Sequence, residues 1–160
     1  MNFCPECGAE IKKKIIDGID RFYCDQPKCN FISWDNPVPV VAAIVEYENK
    51  ILLAQNASWR NGRYSFITGY LERCEHPEMA AIREVKEELG LDAEVKNFVG
   101  HFNFVDKNQI IIVYSVTAEG TINLNSELCD FRLFDEQEIL EYLFTYPAFA
   151  QSIIKKYLAI

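Results

Sequence analysis

A chain of 160 residues and 18.5 kDa has room for one ordinary domain, or for one domain and a small appendage. Its 49% hydrophobic content suffices for a proper core, and 24 acidic against 16 basic residues give a formal charge of −8. That balance predicts no binding of bulk nucleic acid or anionic membrane and suits a site that collects divalent cations. The longest apolar run, Val38 to Val45, is eight residues with a proline inside, too short to span a bilayer. Met1-Asn2-Phe3-Cys4-Pro5 lacks the basic and apolar regions of a signal peptide, so the cytoplasm is the expected compartment.

The first element is a cysteine-rich head, residues 1–35, which Asp35-Asn36-Pro37 joins by a turn to a cysteine-poor body, residues 36–160. Cys4-Pro-Glu-Cys7-Gly8 and Cys24-Asp-Gln-Pro-Lys-Cys29 form two short knuckles. Each sets two thiolates on one side of a turn, and together they supply four sulfurs for one tetrahedral zinc ion. Two pairs at this spacing read as a zinc ribbon rather than an iron–sulfur centre. So short a segment cannot fold on its own apolar core, so the metal would contribute its stability directly. Four cysteine ligands leave no open position for water, which makes this zinc structural.

In the body, Val38–Glu46 and Lys50–Gln55 read as two strands of a hairpin, and Tyr64–Thr68 as a short strand after a loop over 56–63. A helix is predicted from Pro77, a residue suited to a first turn, to a stop at Gly90. Ile82, Val85 and Leu89 form its apolar face, and Glu84, Glu87 and Glu88 cluster on another. Two readings of that cluster are open: a solvated acidic face, or a site where magnesium or manganese neutralises the like charges. The tail, Asp135–Leu143 and Pro147–Leu158, reads as two helices that cover a sheet or form a dimer contact.

The stretch from Gly69 to Leu91 fits the pattern G-x5-E-x7-R-E-U-x-E-E-x-G-U, with U aliphatic, through Gly69, Glu75, Arg83, Glu84, Val85, Glu87, Glu88, Gly90 and Leu91. It resembles the box of the Nudix hydrolases. The resemblance implies an α/β/α sandwich with a mixed sheet, here preceded by a small zinc ribbon. It also implies metal-dependent hydrolysis of a nucleoside diphosphate linked to another group. On matching positions, Glu84 and Glu88 are expected to hold two or three magnesium or manganese ions, with Glu87 a further ligand or the group that activates water. The Thr68 carbonyl is expected as a backbone ligand, and Glu75 with Arg83 as the pair that pins loop to helix. His76 stands where relatives have a capping Ser or Thr, which predicts a weaker cap.

A four-cysteine ribbon before such a domain is similar to the NADH pyrophosphatase branch. The similarity continues through Ile51-Leu-Leu-Ala-Gln55, Arg60-Asn-Gly62, Gly69-Tyr-Leu-Glu72 and Ser126-Glu127-Leu. It implies that Glu127 completes the metal cluster and that Tyr70 stacks on adenine, unless Tyr70 is a core residue. It further implies a homodimer. The branch's Ser-Gln-Pro-Trp-Pro-Phe-Pro motif is replaced here by His101-Phe-Asn-Phe-Val-Asp-Lys-Asn-Gln109. The expected substrates are therefore ADP-ribose, FAD or NAD(H)-like compounds without strong preference for NADH. The alternatives are an RNA- or protein-binding ribbon on an inactive scaffold, or a hydrolase of nucleoside triphosphates or RNA caps. Phe66, Phe102 and Phe104 read as core, His101 as structural, and Cys74 and Cys129 as small packed residues.

Overall fold

The computed structural model describes residues 2–59 and 62–159. Backbone contacts divide the chain into two compact units, Met1–Pro37 and Val38–Ile160. Among the described residues no helix is long and apolar enough to cross a membrane.

The first unit is an antiparallel three-stranded sheet of β1 (Lys12–Ile16), β2 (Ile19–Tyr23) and β3 (Ile32–Ser33). A two-residue turn closes the first hairpin, with Asp17 and Gly18 both in the left-handed region. That pair of positive φ angles twists a tight turn to match its strands. The unit's apolar core is small: Cys4, Ile11 and Cys24 are buried, with Phe22, Cys29 and Phe31 packed around them.

The second unit holds a six-stranded mixed sheet in the order β7-β8-β4-β5-β9, with a short β6 also paired to β4. Its strands are β4 (Val38–Tyr47), β5 (Lys50–Asn56), β6 (Ile67–Tyr70), β7 (Asp92–Phe104), β8 (Gln109–Glu119) and β9 (Leu128–Phe134). β4 is the hub. Its C-terminal end pairs with β5, its N-terminal half pairs with β6, and along its whole length it runs parallel to β8. The run from Val40 to Val45 is buried on both faces, which explains its continuous apolar sequence. Val40, Ala42 and Ile44 face one layer, while Ala43 and Val45 face the other.

Helix α1 (Pro77–Leu89) covers the second of those faces with Ala81, Val85 and Leu89. Ile82, expected on that face, is half-buried, and Ala81 is fully buried there instead. Helices α2 (Glu136–Glu141) and α3 (Pro147–Tyr157) cover the opposite face through Ile139, Ile153 and Ile154. The result is the expected α/β/α sandwich. Asp135 caps α2 in a reciprocal box with Glu138. His76 gives α1 no side-chain cap, as its imidazole predicted.

Gly90 stops α1 in the left-handed conformation, φ 72°, and donates its N–H to the Lys86 carbonyl. A Cβ there would lie 3.2 Å from Asn123 Cβ and 3.3 Å from its carbonyl oxygen. Gly90→Ala combines left-handed strain with this contact, so a loss of about 1–2 kcal/mol is expected, read as a lower midpoint in urea unfolding. An unchanged midpoint would mean that the end of α1 is not held by this cap.

Candidate active site and metal centre

In the first unit the two knuckles bring the four sulfurs of Cys4, Cys7, Cys24 and Cys29 within 4.8 Å of one another. Gly8, in a left-handed conformation, bonds back to the Cys4 carbonyl, and the Cys29 N–H bonds to the Gln26 carbonyl. Cys4 Sγ lies 3.6 Å from Cys29 Sγ, and Cys7 Sγ lies 3.5 Å from Cys24 Sγ. A tetrahedral zinc ion with sulfurs at about 2.3 Å separates them by about 3.8 Å, so this donor set fits the metal. The Phe31 backbone N–H favours the Cys29 thiolate, yet burial and the three neighbouring thiols outweigh it and push Cys29 up to about 12. Four thiols so crowded ionise together when a cation lies among them.

In the second unit the box residues gather where β6 meets α1. Arg83 is the knot. Its Nε and Nη2 form a fork on the Glu75 carboxylate at 2.8 and 3.0 Å. Its Nη1 reaches Glu84 at 2.8 Å and Glu87 at 3.0 Å, and Nη2 also donates to the Tyr70 carbonyl at 3.1 Å. Hydrogen bonds from Arg83, joined by the Glu72 backbone N–H, hold Glu75 down to about 2. Sequence reasoning paired Arg83 with Glu75 and missed its grip on Glu84 and Glu87. The i,i+4 spacing of Arg83 and Glu87 was the available signal.

Glu84 lies against Gly69. A Cβ on Gly69 would fall 1.8 Å from Glu84 Oε1, so only glycine leaves room for that carboxylate beside the backbone. Glu88, one turn further along α1, is buried, and its carboxylate has no hydrogen bond or ion pair among the described residues. Burial first, then the charges of Glu84, Glu127 and Glu87, push it up to about 8. Burial likewise raises Glu84, opposed by Arg83. Glu87 is exposed.

Glu127 arrives from a remote part of the chain. The Asn123 and Asn125 N–H groups bond to the Leu89 and Glu88 carbonyls, fixing the loop on the end of α1. Asn125 Oδ1 then accepts from the Glu127 N–H, and the Glu127 carbonyl accepts from Ala57. Hard oxygen donors around an unpaired buried carboxylate suit magnesium or manganese. Among the described residues only the four cysteines bring their ligand atoms within 4.8 Å of one another; the glutamates do not converge so, and Arg83 is paired with Glu84 and Glu87.

On the other face of the sheet a cavity of about 310 Å³ opens between β4, β6, β8 and α3. Its walls carry Phe66, Phe104, Phe144, Tyr146 and Phe149, its lining also holds Thr68, Lys107 and Gln109, and among the described residues no carboxylate lines it. Thr68 thus borders the cavity while Gly69, the next residue, touches Glu84. Tyr70 is 63% exposed, which excludes the core reading, and its hydroxyl lies 3.4 Å from Gln109 Nε2. Phe66 is core and stacks on Phe144, while Phe102 and Phe104 are half-buried against the same cluster. The sequence reads the rings from 144 to 149 as a helix face covering the sheet, and in the structure Phe144, Tyr146 and Phe149 also line this cavity. His101 is exposed, set edge-on to Phe98.

Cys74 and Cys129 are exposed rather than packed. Cys74 sits at φ 66° in the turn before Glu75, and Cys129 lies near the start of the edge strand β9, with one neighbouring strand to cover it. The Arg60-Asn61 part of the branch similarity lies outside the described residues.

The similarity to known proteins agrees with this geometry. The chain is 31% identical over 137 residues to an NAD-capped RNA hydrolase NudC of Vibrio atlanticus, covering 84% of this chain and 49% of that protein. It is 27% identical over 128 residues to the human mitochondrial NAD(P)H pyrophosphatase NUDT13, covering 79% of this chain and 35% of the relative. The chain therefore spans about half the length of these curated relatives, or less. A crystal structure of a NUDIX hydrolase from Nitrosomonas europaea superposes with a TM-score of 0.81 at 26% identity, covering 99% of this chain and 93% of that one. The fold is also that of an ADP-ribose pyrophosphatase from Streptococcus suis, at a TM-score of 0.62 and 20% identity over 78% of this chain and 90% of that one. The NUDIX domain family matches residues 36–157, and the chain belongs to that family.

Proposed function

We propose that the chain is a pyrophosphohydrolase that cleaves ADP-containing dinucleotides and their relatives, ADP-ribose and FAD at least as well as NADH. The observation that carries this reading is the step from Thr68 to Gly69. One residue borders an aromatic cavity of nucleoside size, and the next touches Glu84 of a carboxylate cluster whose buried member, Glu88, lacks a counter-charge. A substrate with its nucleoside among the rings would lay its pyrophosphate toward Glu84 and Glu88. The names of the NudC and NUDT13 relatives support the dinucleotide class. The segment 101–109, which lacks the tryptophan and prolines of the NADH-specific motif, supplies Phe104, Lys107 and Gln109 to the cavity lining.

In this reading Glu84, Glu88, Glu127 and the Thr68 carbonyl hold two or three magnesium or manganese ions. When bound, such ions draw charge from the phosphoryl oxygens and lower the pKa of water. Gly69 keeps the Glu84 carboxylate against β6, and Arg83 fixes the helix against the loop that carries Glu75. Burial sets Glu88 apart from bulk water, so its charge acts at low local dielectric. Glu87, exposed beside the cluster, accepts the proton of the attacking water. The rings of Phe104 and Tyr70 stack the base, and the products are two monophosphates. The four cysteines hold one structural zinc.

Glu88→Gln is expected to keep the fold and lower turnover at least about a hundredfold at saturating magnesium. Turnover within a few-fold of the parent would remove Glu88 from the site.

For the ribbon, elemental analysis of protein purified without chelator should give one zinc per chain. Cys4→Ser should lower zinc content and thermal stability while leaving the chemical step, read by single-turnover kinetics, little changed. A chain free of tightly bound metal would refute the zinc site.

Substrate preference is decided by kcat/KM for NADH, FAD and ADP-ribose measured side by side with magnesium. ADP-ribose or FAD is expected to equal or exceed NADH. A preference for NADH above about tenfold, roughly 1.4 kcal/mol, would show that other residues replace the absent motif.

A further inference from the structure

The rings that wall the cavity beside Thr68 are, with one exception, already partnered among themselves. Phe66 stacks on Phe144 at 5.5 Å, and Tyr64 sets its edge to Phe134. Phe104 lies face to face with Phe149 at 4.7 Å and edge-on to Tyr146 at 4.8 Å. Trp59 is the exception. It lines the same cavity and is 40% exposed, and among the described residues neither a ring nor a cation covers its indole. The loop beneath it is nonetheless fixed. Asn56 Oδ1 accepts from the Ser58 N–H at 2.9 Å and from the Ser58 hydroxyl at 2.6 Å, and the Asn56 carbonyl accepts from the Trp59 N–H at 3.0 Å. Ala57, in the same turn, donates its N–H to the Glu127 carbonyl at 2.8 Å. The segment that carries the indole is therefore bonded to the segment that carries Glu127.

We propose that Trp59 is a specificity-determining residue: the substrate's base stacks on its indole, and this contact makes the site prefer purines to pyrimidines. The proposal rests on the reading that the cavity holds the nucleoside. A base entering the cavity needs a ring face that is not already engaged. The wall rings give theirs to one another, and parting a pair would lose the contact it already makes. The indole offers its face without that loss, and because its loop is held by hydrogen bonds, little has to be ordered on binding. A purine is a two-ring system like indole and overlaps it more fully than a pyrimidine does. Stacking strength is what separates bases where hydrogen bonds do not read them. The bond from Ala57 to Glu127 ties this recognition to placement, since a base seated on Trp59 lies at a set distance from the carboxylates. Loss of the indole should therefore weaken substrate binding without altering the groups that act at phosphorus.

The test uses the full chain in magnesium-free buffer with adenosine, which carries no phosphate and so needs none of the carboxylates. Trp34→Phe removes the one other indole of the chain, so that emission in this background reports Trp59. Adenosine should quench that emission and bind about two- to tenfold more tightly than uridine. By calorimetry, Trp59→Ala should weaken adenosine binding at least about fivefold and bring adenosine and uridine together, whereas Trp59→Phe should restore most of the affinity. With magnesium, Trp59→Ala should raise KM for ADP-ribose at least about fivefold while kcat stays within about threefold of the parent. Both Trp59 variants should keep the parent's melting temperature. The hydrolase reading fails separately: if adenosine binds and quenches but neither ADP-ribose nor any dinucleotide is cleaved, the base site stands without the chemistry. Five results would each overturn the inference itself: no adenosine binding, binding without quenching, equal affinity of the parent for adenosine and uridine, parental adenosine affinity in Trp59→Ala, or a fall in its kcat with KM unchanged.

Discussion

The guanidinium of Arg83 binds three carboxylates and one backbone carbonyl at once: Glu75, Glu84, Glu87 and the oxygen of Tyr70. Those partners come from the loop before α1, from α1 itself and from β6, so a single planar cation sets the relative position of three segments. Arginine suits this place because its fixed fork can serve several acceptors in one plane, which an ammonium cannot. It also offsets part of a repulsion that would otherwise push the box apart. Glu88 is left outside its reach, buried and surrounded by like charge. The site thus combines carboxylates that the protein neutralises by itself with one that it does not, and burial with like charge pushes that one up to about 8.

The sheet makes this arrangement useful. Adjacent residues on a strand point to opposite faces, so β6 presents Thr68 to the aromatic cavity and Gly69 to α1. The same alternation in β4 separates the two apolar layers that hold the helices in place. Cavity and carboxylates therefore meet across the thickness of one strand, without a long loop to position either. The parallel pairing of β4 with β8 carries the 101–109 segment to the cavity, because Gln109 begins β8 opposite Val38. A change of motif in that segment is a change in the lining of the cavity.

The ribbon obeys a different balance. Its buried core contains two of its own cysteines, so the apolar packing and the sulfur cluster are one structure.

The sequence by itself determined the two-part organisation, the thiol array, the extent of α1 from Pro77 to its stop at Gly90, and the identity of the box carboxylates. These are local properties: knuckle spacing, helix punctuation and a fixed pattern of 23 residues. It also made the buried strand legible, since Val38 to Val45 has no polar residue to face water. Tertiary structure decided everything that depends on distance through space. It set which glutamate was buried and which exposed, because Glu88 and Glu87 are neighbours in sequence but lie on different sides of α1. It also delivered Glu127 through backbone bonds to the end of α1, and formed the aromatic cavity from β6, the β7–β8 hairpin and α3. Cys74 and Cys129 make the same point. A cysteine's burial depends on what packs over it, and a left-handed turn and an edge strand leave these two uncovered. Periodicity reports which face of an element is apolar, whereas a pocket arises where three such faces fail to close completely, and that is settled by the packing of the whole sandwich.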